Sequence, residues 1–171
     1  MEQTFSRRGF LKGAAAAALA VSAMGLTGCS TDAGAEPSTA VVLGDYKVDV
    51  DVRKSTRRSD TRNNKTTGIL LPVVYITNQT GSVMELKLTA SVFKAAASDG
   101  TELKFDSALQ PLTLVQKVPA SVTPSFSTTD EEVFQKLSSG ELSLKLSITL
   151  SGQTAVYTMN FGDLTQTVEK I

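Results

Sequence analysis

The chain has 171 residues with 17 basic and 17 acidic side chains, which allows one ordinary domain with appendages at a formal net charge of zero. That balance speaks against nucleic acid as a partner, and 41% hydrophobic against 20% charged residues excludes a disordered polyelectrolyte. With no histidine and one cysteine, histidine catalysis, histidine metal ligation, an internal disulfide, a thiolate zinc site and a CxxC redox pair are all excluded.

The chain opens with Ser6-Arg7-Arg8-Gly9-Phe10-Leu11-Lys12, which resembles the twin-arginine export motif through Arg7, Arg8, Phe10 and Leu11. The run from Gly13 to Gly28 is mostly Ala and Gly, too short and too weakly apolar to span a bilayer. It ends in Leu26-Thr27-Gly28-Cys29, which resembles a lipobox, with the one cysteine at the position that receives diacylglycerol. These resemblances imply a twin-arginine lipoprotein signal peptide over residues 1–28 and a mature chain starting at lipidated Cys29. Two acyl chains give stable attachment to the cell membrane, so an extracytoplasmic, lipid-anchored protein is expected. Loss of Arg7, Arg8 and Lys12 against Glu2 leaves the processed chain slightly acidic. Residues 29–40 carry small and polar side chains with Gly34 and Pro37, the composition of a flexible tether.

Beyond the tether the dominant period is two. Tyr46 to Arg53 sets Val48, Val50 and Val52 against Lys47, Asp49 and Asp51, a half-buried strand. Arg53, Lys54, Arg57, Arg58, Arg62 and Lys65 then crowd a stretch whose only acid is Asp60. It reads as an exposed loop or hairpin tip and as a candidate anion-binding patch; the lack of interleaved aromatics counts against nucleic acid. Gly68 to Thr77 is a near-continuous apolar run, as in a central strand, with Pro72 marking a bulge or an edge. Asn78-Gln79-Thr80 has the form of a glycosylation sequon but reads as a turn.

Val83 to Lys94 alternates, with Leu86, Leu88, Ala90 and Val92 inward. Asp99-Gly100 is a turn signal, followed by short strands at Glu102 to Phe105, Leu112 to Val118 and Val122 to Ser127. Thr129-Asp130-Glu131-Glu132 matches a capping box with Thr129 as the cap, opening a short helix with Val133, Phe134 and Leu137 as its apolar face and Gly140 as its stop. Glu141 to Leu150 alternates without a miss, Ser151-Gly152 turns, and Gln153 to Phe161 returns with Ala155, Tyr157, Met159 and Phe161 on one face: a terminal hairpin.

Roughly seven or eight short strands and one helix predict an all-β, antiparallel immunoglobulin-like β-sandwich over residues 41–171. The leader, the polar tether and an apolar strand closing in Tyr75-Ile76-Thr77-Asn78 before a Gly turn resemble the telokin-like, immunoglobulin-like domains of bacterial surface lipoproteins. The resemblance implies no catalytic residues and no cofactor. The expected function is a non-catalytic protein-interaction or scaffolding module of the cell envelope. An alternative is a binder of anionic envelope polymers or lipid headgroups through residues 53–65. A carboxylate hydrolase is the weakest reading, because strand solubility accounts for Asp49 and Asp51, and the helix dipole for Asp130, Glu131 and Glu132. Calcium at Asp45, Asp49 and Asp51 would lack a Gly-turn loop, and Ser91-Val92-Phe93-Lys94 would place a Ser-x-x-Lys pair on a strand.

Overall fold

The computed structural model describes residues 39–171, so Arg7, Arg8, Phe10, Leu11 and Cys29 lie outside the described residues. The elements are β1 (Val41–Leu43), β2 (Tyr46–Arg62), β3 (Lys65–Asn78), β4 (Met84–Leu86), β5 (Phe93–Ala97), β6 (Glu102–Phe105), β7 (Leu112–Leu114), β8 (Pro119–Val122), β9 (Phe126–Thr128), α1 (Glu131–Ser139), β10 (Leu144–Leu150), β11 (Gln153–Asn160) and β12 (Thr165–Lys170). Ten strands form one sheet in the order β1-β2-β3-β9-β6-β5-β10-β11-β12, with β8 beside β3, while β4 and β7 pair separately. The short β6 pairs with β9 on one side and β5 on the other, and so joins the β1-β2-β3-β9 half of the sheet to the β5-β10-β11-β12 half. The sheet curls so that its halves meet across the core, with the Tyr157 hydroxyl on β11 donating to the Val48 carbonyl on β2 at 2.8 Å. Burial pushes that phenol's pKa well above its ordinary range, so it stays a neutral donor.

The chain is therefore all-β with one short helix, as the period-two patterning predicts. Leu144, Leu146, Ile148 and Leu150 face Ala155, Tyr157 and Met159 in the core, and Phe161 closes it. The observed strands outnumber the expected ones for local reasons. Val83 to Lys94, expected as one strand, breaks at Thr89, where Val92 and Phe93 both return their N–H groups to the Thr89 carbonyl. Only Met84–Leu86 and Phe93–Ala97 remain extended, and Ala90 is exposed. Leu112 to Val118 shortens to β7, because Lys117 turns with a positive φ of 56°. Val122 to Ser127 is split between β8 and β9, and β12 continues the C-terminal hairpin into a three-stranded meander.

Pro72 explains the irregularity at the centre of the sheet. Having no N–H, it cannot continue the ladder, and four residues of β2, Val52 to Ser55, stand opposite it alone. The Ser55 hydroxyl repairs the break, donating to the Asp51 carbonyl at 2.6 Å and accepting the Val73 N–H at 2.9 Å. The Asp51 carboxylate accepts the Arg53 and Lys54 N–H groups and so shapes the rest of the bulge. On the other side, the shared register of β8 and β9 along β3 sets Pro124 opposite Pro72, and the ladder is interrupted there too.

The helix cap is corrected by one residue. Asp130, not Thr129, is the N-cap, its Oδ1 accepting the Val133 N–H at 3.1 Å. The Asp130 N–H is itself held by the Thr128 hydroxyl, which sets the extended backbone that a cap requires. Val133, Phe134 and Leu137 are buried and Gly140 ends the helix with φ 88°, as expected.

Candidate functional site

Residues 53–65, expected as an exposed loop or hairpin tip, instead continue β2 and β3 as a long two-stranded arm. The turn is confined to Asn63 and Asn64, both left-handed (φ 52° and 59°), the geometry of a tight hairpin in which Asn substitutes for Gly. Strand alternation then separates the six basic residues. Arg57 pairs with Leu70 on the core side of the arm, and its guanidinium lies 5.5 Å from the centre of the Phe161 ring. Arg53 and Lys54 belong to the bulge. The Lys54 ammonium donates to the Tyr75 hydroxyl at 3.1 Å and meets Asp51 at 3.2 Å; the hydrogen bond to Tyr75, then that to Asp51, raises its pKa.

Arg58, Arg62 and Lys65 share the opposite, outward face. Asp60 on that face pairs with Arg62 at 3.1 Å, and Arg62 stands directly across the turn from Lys65. Like charges in register disfavour a hairpin, so this pairing is not there for local stability. The six cations thus divide into an outward trio, a bulge pair and one core-side arginine.

The outward face of β3 carries a feature that the sequence shows only once the register is known. Its apolar run serves both faces: Leu70, Val74 and Ile76 are in the core, whereas Ile69, Leu71, Val73 and Tyr75 are half-buried on the other side. The register places Arg58 beside Ile69, Thr56 beside Leu71, Asp51 beside Val73 and Asp49 beside Tyr75.

A second surface lies on the other half of the sheet. The outer faces of β5, β10, β11 and β12 line an open hollow of about 750 Å³. Ala96, Lys145, Thr158 and Thr167 form one row across the four strands. Lys94, Ser147, Val156 and Glu169 form the next, and Glu102 of β6 borders the hollow. Sequence reading did not bring these positions together, because the alternation that marks a strand cannot tell which strands lie side by side, and β12 was not read as a strand at all.

Of the carboxylates weighed as catalytic candidates, Asp49, Asp51, Asp130 and Glu132 are engaged locally, Glu132 with Lys136. Asp49 accepts the Thr39 hydroxyl and the Val50 N–H, each at 3.0 Å, Asp51 shapes the bulge, and Asp130 caps the helix. Asn78 of the sequon is fully buried; its amide nitrogen donates to Ser82 and Leu114 carbonyls, and its oxygen accepts the Thr80 N–H and hydroxyl. The turn reading of Asn78-Gln79-Thr80 is borne out, and the nitrogen a glycan would occupy is already bonded inside the fold.

No protein-family model matches the sequence, and no curated protein matches it. Among solved structures, the chain is similar to the crystal structure of YcdA, a predicted lipoprotein of Bacillus subtilis, at 14% identity with a TM-score of 0.44. The similarity covers 80% of this chain and 39% of that one.

Proposed function

We propose that this chain is an exported, lipid-anchored module of the cell envelope that works by binding a protein partner rather than by catalysis. The observation that carries the reading is the hollow on β5, β10, β11 and β12. It combines both signs of charge, several hydroxyls and the aliphatic Val156 on a rigid four-stranded floor, a mixture suited to a protein surface. The structural work done by Asp49, Asp51 and Asp130 supports a non-catalytic reading, since a general acid or base needs a carboxyl turned toward substrate. Export by the twin-arginine route and diacylglycerol on Cys29 belong to the same proposal and rest on Arg7, Arg8 and the Leu26–Cys29 motif. The immunoglobulin-like, telokin-like kinship is likewise proposed, supported by two halves of the sheet meeting across Tyr157.

The test is a crosslinking pull-down of the lipoprotein from its own membranes, washed at low and high salt. A single protein retained through high salt, and lost from a variant carrying Lys145→Glu and Val156→Glu, is the expected result. Retention by that variant would move the docking site elsewhere, and recovery of anionic polymer alone would replace the protein partner.

A further inference from the structure

We propose that the outward face of the β2–β3 arm rests on an anionic lipid bilayer. A strand that is apolar on both faces is normally covered on both. Here the core covers one face of β3, whereas Ile69, Leu71, Val73 and Tyr75 are only partly buried on the other, outside the set of side chains packed against the core. Six steps along the strand from Ile69 to Tyr75, at about 3.3 Å each, make this stripe roughly 20 Å long. Arg58 borders one end and, with Arg62 and Lys65 beyond it, sets three exposed cations at the arm's tip against a single acid, Asp60, which pairs with Arg62. At the other end, Tyr75 presents an aromatic ring of the type favoured at a membrane interface. Its hydroxyl accepts from Lys54, a further cation on this face, while the neighbouring Asp49 and Asp51 are engaged by Thr39 and the bulge. Apolar side chains with cations beside them complement the acyl–headgroup boundary of an anionic bilayer. A soluble phosphate polymer would use the cations but leave the stripe unexplained.

The attachment point of the tether favours the same face. Thr39 donates its hydroxyl to Asp49, and Asp49 is the cross-strand neighbour of Tyr75, so the chain leads into the domain beside the far end of the stripe. The ten residues from Cys29 to Thr39 span at most about 35 Å, which holds that face within reach of the membrane. This step rests on the lipid-anchoring reading; the stripe and the cations do not.

The test separates the two. A chain beginning at residue 29 and carrying Cys29→Ser, which keeps the whole described core, is sedimented with vesicles of phosphatidylcholine alone or mixed with phosphatidylglycerol. Binding to the mixed vesicles only, weakening as salt rises, is expected. Combining Arg58→Glu, Arg62→Glu and Lys65→Glu should lower the partition coefficient roughly a hundredfold or more. Ile69→Ser with Leu71→Ser should lower binding while leaving its salt dependence in place. Thermal melts of each variant identify any loss that comes from unfolding, and Lys136→Glu, on the helix packed against the core side of β3, controls for charge placed elsewhere. Equal binding to both vesicle types, or an unchanged triple variant, overturns the proposal. So does capture of a glycerol-phosphate polymer that survives Ile69→Ser and Leu71→Ser while vesicles are not bound.

Discussion

Gly68 lets the helix sit where it does. It lies on the core side of β3 outside the left-handed region, and a Cβ built there would fall 2.3 Å from carbons of the Phe134 ring. The residue is required for close approach and not for an unusual turn. Gly68→Ala is therefore expected to overpack the seat of α1, costing about 1–3 kcal/mol, seen as a lower urea midpoint with an unchanged slope. Adding Phe134→Leu should recover part of the loss; an unaffected Gly68→Ala would show that helix and sheet are not packed this tightly. Nothing in the local sequence announces this pairing. Gly68 reads as a strand start and Phe134 as a helix-face residue, and their meeting depends on tertiary structure. Asn78 was only partly legible for the same reason, because a sequon and a turn share the same three residue types.

Elements with a strong period and short-range partners were legible, and those defined by a distant neighbour were not. β10 and β11 follow from ten residues of unbroken alternation and a two-residue turn, and β6 runs from Glu102 to Phe105 as expected. β12 escaped notice because, as the last strand of the sheet, it turns only Gln166 and Val168 partly inward and keeps polar residues around them. The basic arm was read as a loop because its side chains are polar on both faces, which removes the hydrophobic alternation while leaving the backbone ladder intact. At the helix, two adjacent capping residues compete, and geometry selects the second. Asp130→Ala should therefore destabilise the domain by about 1 kcal/mol, whereas Thr129→Ala should stay within about 0.5 kcal/mol. Equal losses in chemical denaturation would return the cap to Thr129.

At the scale of the whole molecule, the question is how the two ends of a long sheet are kept from pairing with something else, since exposed edges invite association. The ends, β1 and β12, are held together by side chains. Lys170 donates to the Val42 carbonyl at 2.8 Å, and the Gln166 amide reaches the neighbouring edge of β2. There its oxygen accepts the Val52 N–H at 2.9 Å, while its nitrogen donates to the Val50 carbonyl and the Thr39 hydroxyl. One amide thus offers β2 the donor and acceptor that another strand's backbone would supply, and fixes the start of the domain to the same point. Gln166→Ala should remove about 1–2 kcal/mol of stability and speed amide exchange at Val52. Gln166→Glu keeps the acceptor but sets a carboxylate against the Val50 carbonyl, which raises the pKa of the new carboxyl in the fold. Its protonated form can again donate, so this variant should lose stability as pH rises through that raised value and recover toward the parent as pH falls. Urea midpoints of parent and variant across the acid range check the sign. A difference independent of pH would mean that the Gln166 nitrogen does not close the seam, and that Lys170, the Gln166 oxygen, the Gly44–Gln153 bond and core packing hold the two ends of the sheet.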